Sequence, residues 1–230
     1  MFFYRWLLRL LLLLVGTAFG YQLWIFGHVV HWNSHNPSSS SVMRGRLELL
    51  QRENPQATLR AEWTPYERIS PQLKRAVIAA EDGKFAKHWG FDFQAIQKAY
   101  QKNLENGRSV AGGSTISQQL AKNLFLSGKK TLWRKLQEAL ITLMLENVMS
   151  KRRILEIYLN VIEWGEGVFG AEAAARHYYG VSAASVTAEQ AARLAAMLPH
   201  PSFYDRNGET SGLLKKARTI LGRMPSAQVP

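Results

Sequence analysis

From Leu10 to Val30 the chain reads LLLLLVGTAFGYQLWIFGHVV, with no Asp, Glu, Lys or Arg and only His28 able to take a charge. As a helix this run extends roughly 30 Å, the thickness of a bilayer core. A segment apolar on every side has no polar face to show to water, so it is read as a membrane span and not as a helix of a soluble core. A cleaved leader is the competing reading, but the run is long and no small-x-small site precedes a polar start. Arg5 and Arg9 precede it and the next Lys or Arg is Arg44, so the positive-inside rule places residues 1–9 in the cytoplasm and everything after residue 30 outside. Tyr21, Trp24 and Trp32 suit an interfacial belt.

The remainder of the 230 residues can bury one core with a small lobe added, not two large domains. Residues 31–69 contain NSHNPSSSSVMRGR, whose Pro37 and run of serines read as a tether or extended connection. Residues 70–201 are a succession of helical patterns without alternating strands or internal repeats, which predicts an all-α core. Residues 202–230 carry a short helical pattern around Leu213–Leu221 and then a frayed end. The net charge of +12 and pI near 10.1 point to an anionic partner: nucleic acid, anionic membrane or a phosphorylated substrate. An outside-facing domain with no reader motif argues against nucleic acid. The chain has no cysteine, which excludes thiol nucleophiles, metal–thiolate sites and disulfides.

Four stretches carry chemistry. Ser70-Pro71 starts a helix as N-cap and first-turn proline, Leu73, Val77 and Ala80 form its apolar stripe, and EDGKFAKHWG (Glu81–Gly90) follows. Glu81 lies four residues after Val77 and at the carboxy-terminal end of the helix dipole, two influences that disfavour its charged form and suit a general acid or base. A solvated helix end is the plain alternative. In AGGSTISQQLAKNLFL, Gly112 and Gly113 break the chain, Ser114 can cap, and Thr115 with Gln118 makes a capping box. Ile116, Leu120 and Leu124 form one face; Ser114, Gln118 and Lys122 form the other, with Gln119 beside them. A helix start with a lysine two turns along suits an anion and sugar hydroxyls, although a wet polar face has the same pattern.

In the third stretch Leu136, Leu140, Leu143 and Met144 predict a buried stripe, while Arg134, Lys135 and Glu138 share the other side. That trio is either ordinary surface pairing, worth about 0.2–0.5 kcal/mol per pair, or a second active-site acid held by two bases. Ser150 caps a further helix whose Lys151, Arg152 and Arg153 oppose its dipole and call for an anionic partner or full exposure. In GEGVFGAEAAARHYYG (Gly165–Gly180) the small residues read as close packing, and His177 as a packed or surface histidine, not a ligand. Thr187 and Gln190 cap a later helix that Pro199 ends.

EDGKFAKHWG, GGSTISQQLAKN, RKLQE, KRRILEIYLN and GVFGAEAAARHYYG occur in this order, and from about Pro37 to Pro201 they resemble the peptidoglycan glycosyltransferases that polymerise lipid II, in their monofunctional, membrane-anchored form. The resemblance implies an all-α, lysozyme-like lobe with a small membrane-associated jaw and an N-terminal transmembrane helix, in the bacterial inner (cytoplasmic) membrane with the catalytic domain periplasmic. It makes Glu81 the general base for the 4-hydroxyl of the acceptor N-acetylglucosamine, with Asp82, Phe85 and His88 around it. It makes Glu138 the second acid, and Ser114, Thr115, Gln118, Gln119, Lys122, Arg134 and Lys135 substrate-contacting positions. Lys130 stands where several members carry an arginine for the donor diphosphate, keeping the charge without the fork. The reaction implied is inverting transfer of a growing glycan from undecaprenyl diphosphate, forming β-1,4 bonds. A divalent cation, Mg²⁺ or Mn²⁺, is compatible with a diphosphate leaving group; the sequence identifies no metal ligands.

A murein-cleaving enzyme of lysozyme-like fold is the alternative, but it protonates a sugar leaving group and has no use for a row of cations. A non-catalytic scaffold would hold anionic lipid and need neither Glu81 nor Glu138. Ser127–Lys130 matches Ser-x-x-Lys, but no Ser-Asp-Asn or Lys-Thr-Gly follows, so no transpeptidase activity is expected. Partners expected are lipid II, the lipid-linked strand, membrane lipids and, for crosslinking, transpeptidases or division proteins.

Overall fold

A computed structural model describes residues 2–107, 112–126 and 131–230. The chain is mostly helical, at 72%. It begins with α1 (Phe2–Ser34) and α2 (Ser41–Glu53), followed by the two-residue strand β1 (Arg60–Ala61) and α3 (Pro71–Glu81). Next come α4 (Phe93–Glu105), α5 (Ile116–Phe125), α6 (Leu132–Val148) and α7 (Lys151–Val161). Strands β2 (Glu163–Gly165) and β3 (Val168–Phe169) lead to α8 (Ala171–Tyr179), α9 (Ala188–Met197), α10 (Pro201–Asn207) and α11 (Ser211–Arg223). The small sheet, ordered β1-β3-β2, qualifies the all-α expectation; its strands are too short to show a period of two.

The central core forms where α3, α9 and α11 pack together and where α5 lies against α6 and α7. Leu73, Val77, Leu120, Ile141, Leu155, Leu194 and Trp164 are fully buried there. Local chemistry sets the helix starts as read from the sequence. The Ser70 and Ser150 side chains accept from Gln72 N and Arg153 N, and reciprocal capping boxes join Thr115 to Gln118 and Thr187 to Gln190.

α1 is long and apolar enough to cross a membrane, and its residues up to Leu14 are exposed all round. Its last turns are different. Ile25 and Val29 are buried, and Gln22 Nε2 donates to Gln137 Oε1 of α6 at 2.7 Å. Arg153 then pins the end of the helix, donating to the carbonyls of Trp32 (3.0 Å) and His35 (2.7 Å) and to Asn36 Oδ1 (2.9 Å). The serine run is no tether: the buried Ser40 caps α2, accepting from Met43 N.

α6 corrects the sequence reading most sharply. Leu136, Leu140 and Leu143 are 52%, 38% and 46% exposed, whereas Gln137, Glu138, Thr142 and Glu146 face the interior. α4 is similar, with Phe93, Ile96, Tyr100 and Leu104 outward and only Ala99 buried. The three cations of α7 also differ from expectation, since each has a carboxylate on the protein: Lys151 with Glu146, Arg152 with Glu67 and Arg153 with Glu156. The C-terminal end is not frayed. Met224 and Ala227 are buried against α3, and the Tyr66 hydroxyl donates to the Pro230 carbonyl at 2.6 Å.

Candidate active site

Glu81 is the last residue of α3, half-buried, with its Oε2 accepting from Gln119 Nε2 of α5 at 2.8 Å. Gln119 is fixed in turn, because its Oε1 accepts from the Tyr158 hydroxyl of α7 at 2.9 Å. Burial, then the charges of Glu81 and Asp82, push the Tyr158 hydroxyl well above its ordinary pKa, so it stays a donor.

Asp82 ends α3 and fastens the following loop. Its carboxylate accepts from His88 Nε2 at 2.9 and 3.0 Å and from the backbone N–H of Ile116, in the first turn of α5, at 3.0 Å. A carboxylate at a helix amino terminus is favourably placed, which explains why two adjacent acids stand here: one closes the loop and the other faces the cavity. Thr115 Oγ1 donates to the Gly90 carbonyl at 2.6 Å, drawing the far end of the loop to the same turn. Gly90 has φ +80°, and a Cβ there would lie 2.6 Å from Thr142 Cγ2, so only glycine fits without strain. Gly113 allows α4 equally close, 2.8 Å from a Cβ position to Ile96 Cα.

A cavity of about 310 Å³ opens beside Glu81, lined also by Asp82, Asp92, Ser114, Thr115 and, from the C-terminal segment, Arg223 and Ser226. Arg223 is the one cation in its lining among the described residues. Lys216 of α11 also feels Glu81: burial lowers its pKa and the carboxylate pulls part of that shift back. A neighbouring cavity of about 270 Å³ shares Gly113 and Ser114 and is lined by Ile96, Tyr100, Gln118 and Lys135.

Glu138 is buried in α6, in contact with Lys135 Nζ, and has Arg134 Nη1 3.6 Å from its other oxygen. Lys135 also reaches Ser114 Oγ at 3.5 Å, and Arg134 Nε is buried with no partner among the described residues. Glu138 is therefore a buried acid beneath its two cations, Arg134 largely covered and Lys135 exposed at the edge of the second cavity. Lys122 is half-buried in the last turn of α5.

Several sequence expectations change here. Phe85 is fully buried under the Lys151 ammonium, 4.6 Å from its ring centre, so it packs the loop and does not face the cavity. Thr115, not Ser114, caps α5, and Gln118 is spent on the capping box. Lys130 lies outside the described residues. Among the described residues no three His, Asp or Glu side chains come together to hold a metal, and Glu81, Asp82 and Glu138 are each engaged by protein donors, so these acids do not fit a resident ion. Sequence reasoning missed Tyr158, Arg223 and Ser226. Tyr158 lay within an apolar-looking helix, and no spacing connects the C-terminal pair with Glu81.

The fold is mostly helical, with one N-terminal helix long and apolar enough to cross a membrane and a cavity beside Glu81. The transglycosylase family profile matches residues 48–225, and the chain belongs to that family. It is 69% identical, over the whole of both chains, to a protein of Nitrosospira multiformis named biosynthetic peptidoglycan transglycosylase. Proteins of the same name from Methylobacillus flagellatus and Dechloromonas aromatica are 64% and 60% identical, the first over 99% of this chain and 98% of its own, the second over 98% of each.

Proposed function

We propose that this transglycosylase polymerises the glycan of peptidoglycan, transferring the growing lipid-linked strand from its undecaprenyl diphosphate to the 4-hydroxyl of the N-acetylglucosamine of lipid II. The observation that carries the reading is a half-buried carboxylate, Glu81, aimed by Gln119 at a cavity whose neighbour holds the Arg134–Lys135–Glu138 cluster. The acceptor oxygen attacks the anomeric carbon of the donor, the bond to the diphosphate breaks with its electron pair leaving on the diphosphate, and Glu81 takes the hydroxyl proton. Attack opposite an α-linked leaving group inverts the centre and gives a β-1,4 bond. A weak nucleophile gains about 10²–10⁴-fold from a positioned base.

Lys135 and Arg134, with Lys122 and Lys130, supply positive charge where the diphosphate gains negative charge, and Glu138 holds the first two in place. Where Mg²⁺ or Mn²⁺ takes part, it would travel with the diphosphate and supply further charge neutralisation. Arg223, in the lining of the Glu81 cavity, is placed for an anionic group of the acceptor. The outward leucines of α6, which packs against α1, and the outward apolar residues of α4 rest in the outer leaflet of the cytoplasmic membrane, with residues 1–9 inside. Crosslinking falls to other proteins, transpeptidases or division proteins, as partners.

Detergent-purified protein given fluorescent lipid II with magnesium or manganese tests the reading on a gel that resolves glycan length. A lysozyme-digestible ladder from wild type, absent with Glu81→Gln, is expected. Fragments released from finished peptidoglycan, with no ladder, would replace the polymerase by a cleaving enzyme.

A further inference from the structure

We infer that Tyr158 is a positioning residue for this reaction, its hydroxyl locking Gln119 in the one orientation that aims the base. The inference deepens the proposed function and rests on it. An amide side chain has a donor end and an acceptor end, and at the ordinary level of detail either can be turned toward a neighbour. Here the choice is made by a third group. The Tyr158 hydroxyl donates to Gln119 Oε1 at 2.9 Å, which leaves Nε2 to donate to Glu81 Oε2 at 2.8 Å. The reversed amide would set a carbonyl against an ionised carboxylate.

The lock works only if the phenol keeps its proton. Tyr158 is 1% exposed, and burial together with the Glu81 and Asp82 charges secures this over the whole working range. The chain of bonds joins α7, α5 and α3, three elements of the core, so the carboxylate at the end of α3 is held from the interior and not by the substrate. It engages Oε2 and leaves the other oxygen for the acceptor hydroxyl. Other charges reach Glu81 as well, from Asp82 on its own helix end, Lys216 on α11 and Arg223 in the cavity lining, and all three stay in place when the tyrosine hydroxyl is removed.

The test compares wild type, Tyr158→Phe, Gln119→Ala and the double variant as full-length protein in detergent, with fluorescent lipid II. Tyr158→Phe should lower kcat about tenfold with KM unchanged. It should also move the acid limb of the rate profile to higher pH, because a carboxylate that loses its aimed N–H binds its proton more readily. In the Gln119→Ala background the tyrosine change should add nothing. Full activity of Tyr158→Phe, or losses that multiply in the double variant, would overturn the assignment. Gln119→Ala leaves the tyrosine in the core and must shift the acid limb in the same direction; an unmoved limb there overturns the assignment even if Tyr158→Phe does not fold. A wild-type chain that makes no glycan counts against the proposed function and not against the lock.

Discussion

α5 and α6 lie side by side with opposite constructions. α5 buries Ile116, Leu120 and Leu124 in the ordinary way, and its polar Ser117 and Gln118 are buried too, each with a partner. α6 turns Glu138 and Glu146 inward, where they meet lysines, beside a buried Ile141 and Leu145, and gives Leu136, Leu140 and Leu143 to the outside. Both helices have an apolar stripe at helical spacing. The stripe reports that two faces see different media, and only the contents of the polar face tell which medium is the protein.

The largest expected effect belongs to the carboxylate that Gln119 of α5 holds. Glu81→Gln should reduce polymerisation by about 10²–10⁴-fold while the thermal midpoint stays at the wild-type value. Activity within tenfold of wild type would remove Glu81 from the chemistry. The two leucine environments come next. Leu145→Ala, inside α6, should cost about 2–5 kcal/mol in denaturant unfolding. Leu136→Gln, on the outer face, should change stability in detergent by no more than about 0.5 kcal/mol, yet weaken the protein's sedimentation with phospholipid vesicles. Equal stability losses at the two sites would mean that the outer face is packed after all.

Gly90→Ala tests the contact between the catalytic loop and α6. Strain at φ +80° and the close approach to Thr142 should destabilise the protein by about 1–3 kcal/mol, read as a lowered midpoint.

The smallest effect is pH-dependent and lies far from the site. Asp205 accepts from His177 Nε2 at 2.7 Å, from the Glu166 amide at 2.9 Å and from the Tyr178 hydroxyl at 3.0 Å. Burial pushes its pKa up, but these donors outweigh burial and hold it below the usual 3.8. A depressed carboxylate stabilises the fold above its unfolded pKa and loses that contribution as pH falls through its folded one. Wild type should therefore melt above Asp205→Asn at neutral pH, with the gap closing only below the usual aspartate range.

Much of the site was legible because its signals are local. The Ser70 cap and the Thr115–Gln118 box are each set within one turn of helix, and the structure places them as read, while Arg134, Lys135 and Glu138 meet as their spacing requires but with Glu138 buried. The orientation of α6 was not legible, since leucine periodicity is the same against a core and against lipid. The Tyr158–Gln119 bond and the place of Arg223 in the cavity lining depend on segments 39 residues apart in one case and on packing of the chain's last helix in the other, and no period or spacing encodes either. His177, read as a packed or surface histidine, is exposed, and its bonds to Arg60 and Asp205 emerge only in three dimensions.

The clamp of Arg153 on the end of α1 makes the anchor a ruler. The 33 residues of α1 rise about 50 Å, of which a bilayer interior takes up roughly 30 Å. The carboxy-terminal half of α1 is fastened to α6 by Gln22 and Gln137 and to α7 by Arg153, with no slack at the serine run. The Glu81 cavity is therefore held at one fixed distance from the apolar length of α1, with no flexible joint between them.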